Sequence, residues 1–206
     1  MSTVLHLARH GETDDNSNKV FQGQHGGGLN ARGRAQADRL AVRVAPSIDA
    51  VVSSDLQRAR ETAAIVAAAV KVEVVHDAGL REVDVGAWTG LSHDEVAVRF
   101  PEEWGAWRSG VDVPRGGGET YAALATRVRA TLDRIAHEHR GRRVLVVSHG
   151  AALRSVTCSI LGLPPQWSAQ LAGMQNTALT TVVYDDDGES MVLTYNDFAH
   201  LANLAP

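Results

Sequence analysis

The run Arg143–Ser148 (RVLVVS) constrains this chain most. It is apolar almost without a break, so it cannot be a strand with one wet face. It suits a strand in a sheet covered on both sides. Thr3–Ala8 (TVLHLA) and Ala50–Ser53 (AVVS) read the same way, and a third short strand fits residues 72–76. Helical patterns lie between them. Residues 31–44 carry Ala35, Leu40 and Val44 and stop before Pro46, and residues 56–69 are rich in alanine. Residues 92–109 read as one or two short helices broken at Pro101. The clearest helix spans residues 119–139, where Tyr121, Leu124, Ala125, Val128, Leu132, Ile135 and Ala136 recur at helical spacing. Another helix fits residues 151–161, and two last strands, 179–184 and 191–195, flank an acidic turn at Asp185–Gly188.

Strands alternating with helices predict an α/β fold, a three-layer α/β/α arrangement around a mostly parallel central sheet. No repeat or low-complexity tract divides the chain. Its 206 residues suit a single domain with a small helical lid at residues 84–115. Trp88, Phe100, Trp104 and Trp107 concentrate there although only 5% of the chain is aromatic. Two readings stand side by side for them: an apolar wall that selects the leaving group, or the packing of a small subdomain on the sheet.

A net charge of −4 gives no sign of a nucleic-acid or membrane partner, which calls for a basic face. No window is long and apolar enough for a transmembrane helix, and no leader is apparent, so a cytoplasmic location is expected. Cys158 is the single cysteine and sits among apolar residues at helical spacing, so a buried structural thiol is expected. No HExxH or paired CxxC spacing predicts a metal, and no GxxxxGK[ST] loop predicts a nucleotide. Gly26–Ala31 matches a loose GxGxxA pattern, but the preceding strand ends too early for a dinucleotide turn.

In open α/β sheets, ligands bind beyond the carboxyl ends of the strands. That places interest on Arg9-His10-Gly11, on Ser53-Ser54 leading to Arg58, and on Ser148-His149-Gly150. Histidine can act as a covalent nucleophile, and arginine offers donors that match phosphate oxygens. A glycine after each histidine lets backbone approach a ligand closely. A lone histidine at a strand end is more often structural, and His6, inside the first strand, is assigned to the core on that ground. His25, His76, His93, His137, His139 and His200 have no partner apparent in the sequence.

Arg9-His10-Gly11-Glu12-Thr13 with Asn16 resembles the RHGETxxN signature of the histidine phosphatase superfamily, which includes cofactor-dependent phosphoglycerate mutases and many phosphomonoesterases. Further segments resemble the family in the same order: Gln22-Gly23; Leu29, Gly33, Gln36 and Ala37; Ser53–Ala63; Leu80-Arg81-Glu82 with Gly86, Trp88 and Gly90; Gly117–Thr120; and Val146–Gly150. The resemblance implies a phosphoglycerate mutase-like fold. It implies His10 as nucleophile, Arg9, Arg58 and His149 as phosphoryl ligands, and Glu82 as proton donor. Asn16, Gln22 and Gly23 are implied as further substrate contacts, with Thr13 orienting the His10 loop. Where the family often has aspartate and proline, this chain has Gly26 and Gly28, and Asp15 replaces a frequent aromatic residue. A more flexible loop is expected there.

The activity so implied is metal-independent hydrolysis of small phosphorylated metabolites through a phosphohistidine, by a histidine acid phosphatase without cofactor. Glu82 must hold a proton when substrate is bound, which predicts better activity on the acidic side of neutral. The rivals are a bisphosphoglycerate-dependent mutase, a non-catalytic phospho-ligand-binding protein on the same fold, and a protein phosphohistidine phosphatase. A homodimer stays open, because the apolar C-terminal strands fit either a dimer edge or the inside of the sheet.

Overall fold

A computed structural model describes residues 2–202 and residue 204. Its strands are β1 (Thr3–Arg9), β2 (Ala50–Ser53), β3 (Val74–His76), β4 (Arg143–Ser148), β5 (Leu179–Tyr184) and β6 (Ser190–Asp197). They form a six-stranded sheet in the order β3-β2-β4-β1-β5-β6. The strands β1 to β4 pair in parallel, whereas β5 and β6 join antiparallel at one side. The mostly parallel α/β sheet expected from the sequence is therefore present, and β6 is an edge strand.

The helices are α1 (Asp14–Ser17), α2 (Ala31–Val44), α3 (Gln57–Val70), α4 (His93–Arg99), α5 (Pro101–Arg108), α6 (Tyr121–Glu138) and α7 (Gly150–Ile160). The period-2 geometry of the strands sorts them into two layers. Val144 and Val146 of β4 pack with Leu124, Val128 and Leu132 of α6 and with Leu153 and Val156 of α7. Leu145 and Val147 point to the other face, against Leu40 and Val44 of α2 and Ala63 and Val66 of α3. An all-apolar strand is what such a position requires, since successive side chains enter different cores.

Local chemistry sets the helix ends. Asn30 caps α2 by accepting the Gly33 N–H at 2.8 Å, and Thr120 caps α6 by accepting the Ala123 N–H at 3.1 Å. Residues 119 and 120, expected inside the long helix, thus stand before it. Lys71, in the left-handed region, ends α3 one residue later than expected. Pro101 starts α5 rather than merely interrupting a helix, because a proline lacks only an N–H that the first turn would leave unpaired.

Two expectations need correction. His6 is not a core residue; it is half-buried on β1, with Nδ1 3.2 Å from the Thr181 hydroxyl. β3 is shorter than expected, because Val72 and Glu73 precede its pairing with β2. Cys158 is buried in α7 as expected, and burial raises its thiol pKa. No helix among the described residues is long and apolar enough to cross a membrane.

Candidate active site

Sheet register brings the two histidines together. β1 and β4 are neighbours, with Arg9 opposite Ser148, so the chain leaves both strands side by side. The His10 N–H donates to the Ser148 carbonyl at 3.0 Å, and the rings of His10 and His149 lie 5.2 Å apart. Both side chains are buried, His149 completely. β2 ends on the other side of β4, which sets Ser54 beside His149, its hydroxyl 2.8 Å from Nε2.

Two hydrogen bonds fix the form of His10. Its Nδ1 lies 2.7 Å from the Gly11 carbonyl, an acceptor only, so Nδ1 carries the hydrogen. The other nitrogen, Nε2, accepts the Arg58 Nε–H at 3.2 Å and therefore holds the lone pair. Burial first, then the charges of Arg58 and Arg9, hold the His10 imidazole well below its ordinary pKa. His149 is held down likewise, by burial and then by Arg58 and its other cationic neighbours. A neutral ring with Nε2 free of hydrogen is what a nucleophilic histidine requires.

Arg58, in the first turn of α3, is 1% exposed. Besides His10 it donates to the Gly23 carbonyl at 2.7 Å and the His25 carbonyl at 2.5 Å. Burial brings its pKa down to about 10, so it stays a cation at neutral pH. The loop after Gln22 is held at both ends, since the Leu29 N–H donates to Glu61 at 3.0 Å. Its glycines therefore do not leave it unanchored. Arg9 gives Nη1 to the Met174 carbonyl at 2.6 Å, while its Nε is buried without a partner among the described residues.

Glu82 comes from an irregular stretch between two 3-10 turns, Ala78–Leu80 and Gly86–Trp88. Its carboxyl oxygens accept the N–H groups of Val83, Ala151 and Ala152 at 3.0–3.1 Å. Two of those donors open α7, whose N-terminus attracts negative charge. Arg9, His10, Asn16, Gln22, Gly23, Arg58 and Glu82 all line one cleft of about 290 Å³.

Thr13 and His149 stand behind that lining. The buried Thr13 hydroxyl caps α1 through the Asn16 N–H and accepts the Gln22 amide at 3.0 Å, so it holds two lining residues in place. Gly11 permits close packing. A Cβ there would strike the Gly33 carbonyl, so it is the start of α2 that comes close. Of the aromatic group, Trp88 is fully buried and belongs to the core, with Phe100 and Trp104 packed on it. Only Trp107 of the four lines the cleft, together with Phe21, His93 and Tyr121.

Three contributors escaped the sequence reading. Asn176 donates to the His10 carbonyl at 3.0 Å and to Asn16 at 3.2 Å. Arg115 and Arg154 line the same cleft as Arg9 and Arg58. Arg115 precedes a glycine cluster that the sequence does display, and that was the one available signal.

The sequence profile of the histidine phosphatase superfamily (branch 1) matches residues 5–197. The chain belongs to the histidine phosphatase superfamily. Within the superfamily it is 43% identical over 156 residues to phosphoglycerate mutase-like protein 4 of Arabidopsis thaliana, covering 73% of this chain and 67% of that one. It is 36% identical over 208 residues to a metal-independent phosphoserine phosphatase of the same plant, covering 98% and 84%. The solved structure of mycobacterial glucosyl-3-phosphoglycerate phosphatase with VO3 superimposes with a TM-score of 0.86 at 30% identity, covering 94% of this chain and 98% of that one. These relatives support a phosphatase, and the mutase-like name keeps the mutase reading beside it.

Proposed function

We propose that this superfamily member is a metal-independent histidine acid phosphatase, hydrolysing small phosphorylated metabolites through a phosphohistidine on His10. The observation that carries this reading is the fixed tautomer of His10, with its lone pair facing a cleft rich in arginine.

The first step begins with an exchange of partners. Arg58 Nε–H occupies the Nε2 lone pair until a phosphoryl oxygen draws it away. Nε2 then attacks phosphorus, forming the N–P bond as the ester P–O bond breaks. Arg9 and Arg58 neutralise charge on the equatorial oxygens. Glu82 acts as the acid that gives its hydrogen to the departing alkoxide, which leaves as the alcohol, with the substrate's negative charge offsetting the N–H donors that favour the carboxylate. In the second step water attacks phosphorus, Glu82 takes the proton, the N–P bond breaks and inorganic phosphate departs. His149, whose ring lies 5.2 Å from that of His10, serves with Arg9 and Arg58 as a phosphoryl ligand, and Thr13 acts as a positioning residue. The segment 84–115 serves as the lid over the leaving group.

The decisive test is hydrolysis of p-nitrophenyl phosphate in EDTA by wild type and His10→Ala, from acid to neutral pH. Wild-type turnover that His10→Ala abolishes is expected. The rate should persist below pH 6.5, since a lowered His10 pKa keeps the nucleophile unprotonated there. Turnover surviving in His10→Ala overturns the reading. A wild type that transfers phosphate only in the presence of 2,3-bisphosphoglycerate selects the mutase instead.

A further inference from the structure

The segment 174–178, just before β5, wraps the backbone that carries the nucleophile. The Met174 carbonyl accepts Arg9 Nη1 at 2.6 Å. The Thr177 N–H donates to the Arg9 carbonyl at 2.9 Å, and the Arg9 N–H donates to the Ala178 carbonyl at 3.3 Å. Asn176 adds its side chain, donating to the His10 carbonyl at 3.0 Å. Thr177, the next residue, sits at φ +61° although it is β-branched and fully buried. Such a backbone is unfavourable and persists only where its surroundings enforce it, as they do at sites where position matters.

These bonds fix which way two amides are turned. The His10 carbonyl only accepts, so the Asn176 atom beside it is Nδ2. The second hydrogen of that Nδ2 goes to Asn16 at 3.2 Å, and its partner there must be the oxygen Oδ1. Thr13 fixes the same atom independently. Its backbone N–H only donates, and it reaches Asn16 Oδ1 at 3.2 Å. Held by two donors, the Asn16 amide cannot turn over without setting Nδ2 against both. Its Nδ2 has no hydrogen bond among the described residues, and Asn16 lines the same cleft as His10 and Arg58. A donor is thereby left for an oxygen of the ligand.

We propose that Asn176 is a positioning residue that locks the Asn16 amide, so that Nδ2 and not Oδ1 faces a phosphoryl oxygen. The proposal deepens, and rests on, the phosphatase reading. Asn176 does not line the cleft itself, so it acts on the ligand only through Asn16. A reversed Asn16 would set a carbonyl oxygen against an anion, which is worse than losing the donor, since an acceptor there has nothing to pair with.

Two substitutions separate orientation from packing. Asn176→Ala frees the Asn16 amide. Asn176→Asp keeps the shape but puts acceptors where the donor was, which drives Asn16 to turn over. On p-nitrophenyl phosphate at neutral pH, kcat/KM should fall about tenfold in Asn176→Ala and up to about 100-fold in Asn176→Asp, the scale of one hydrogen bond to a charged group. A packing role predicts the reverse order, because the aspartate fills the site better than alanine. A double-mutant cycle with Asn16→Ala asks whether the effect passes through Asn16. In that background Asn176→Ala should change kcat/KM by less than about twofold. Competitive inhibition by inorganic phosphate should weaken in the same pattern, and Tm should not follow it. An undiminished loss in the Asn16→Ala background overturns the proposal, as does greater activity in Asn176→Asp than in Asn176→Ala. Variants too unstable to assay would make Asn176 a residue of the fold alone and overturn it as well. If wild type hydrolyses no ester at all, the phosphatase reading fails, and thermal shift with inorganic phosphate decides the proposal separately. Phosphate should then raise the wild-type Tm, and the rise should shrink alike in Asn16→Ala and Asn176→Asp. No rise in wild type, or a rise unchanged in Asn176→Asp, overturns it.

Discussion

The two walls of the cleft are built on different principles. One wall grows from the ends of β1, β2 and β4, where parallel register sets His10, His149 and Ser54 side by side and Arg58 follows in the first turn of α3. Its side chains are buried and tied, so their positions are consequences of the sheet. The other wall, from Val83 to Tyr121, contributes no strand to the sheet. It is held by an aromatic cluster, with Trp104 and Trp107 ring centres 5.0 Å apart and Trp88 beneath them. It is also held by backbone interlock. Gly116 sits at φ +57°, and a Cβ there would lie 2.5 Å from the Val85 carbonyl, so the 3-10 turns Gly86–Trp88 and Arg115–Gly117 close on each other only through glycine. The difference teaches where each kind of property resides. The first wall can fix reacting atoms to a fraction of an ångström. The second can vary in shape without disturbing them.

If that division is right, the largest losses fall on the first wall. Arg58→Met removes a charge, the bond to His10 and both ties to the Gly23–His25 loop. Its kcat/KM on p-nitrophenyl phosphate should drop by about 10³, the scale found when a preorganised donor is lost. A loss below tenfold in steady-state kinetics would remove Arg58 from the phosphoryl site.

Next comes Glu82→Gln, which keeps an acceptor for the α7 N–H groups but no transferable proton. Its effect should depend on the leaving group. An alkyl phosphate needs the proton, and its kcat should fall by about 10²–10⁴. p-Nitrophenolate departs without help, so its phosphorylation step should fall far less. Equal losses on both esters would assign Glu82 to binding rather than to proton transfer.

The sequence exposes the first wall far better than the second, for physical reasons. Apolar strands announce themselves, and the residue that follows each is a candidate by position alone, as with His10, Ser54 and His149. The order of strands is not written in any one strand, yet it is the adjacency of β1 and β4 that makes two histidines into one site. Glu82 lies in a stretch without periodicity, and only likeness to a family pointed to it. Arg115, Arg154 and Asn176 were missed because each acts across the fold. Asn176, for example, meets His10 from 166 residues away. Thr13 was given a supporting role only by likeness to the family, and the cap it forms on α1, with Asn16 three residues on, is a local pattern of the kind a sequence can display. The aromatic cluster was legible in composition but not in role, since burial of Trp88 and cleft exposure of Trp107 depend on how α4 and α5 turn over the sheet.

The smallest effect, and the one that probes the second wall directly, is expected from Trp107→Leu. The change keeps an apolar side chain but removes the indole N–H that donates to Tyr121 and the edge contacts with Phe21 and Trp88, whose ring centres lie 5.8 and 6.0 Å away. Aromatic pairs of this kind contribute about 0.5–1.5 kcal/mol each beyond buried area, so Tm should fall by a few degrees. KM should rise several-fold for bulky esters as the wall loses shape, with kcat little affected, because no reacting atom is touched. Measuring kcat and KM separately for a bulky and a compact phosphate ester decides the matter. A fall confined to kcat, of the size expected for Arg58→Met, would mean that the aromatic wall takes part in placing His10 and Arg58, and the division between the two walls would not stand.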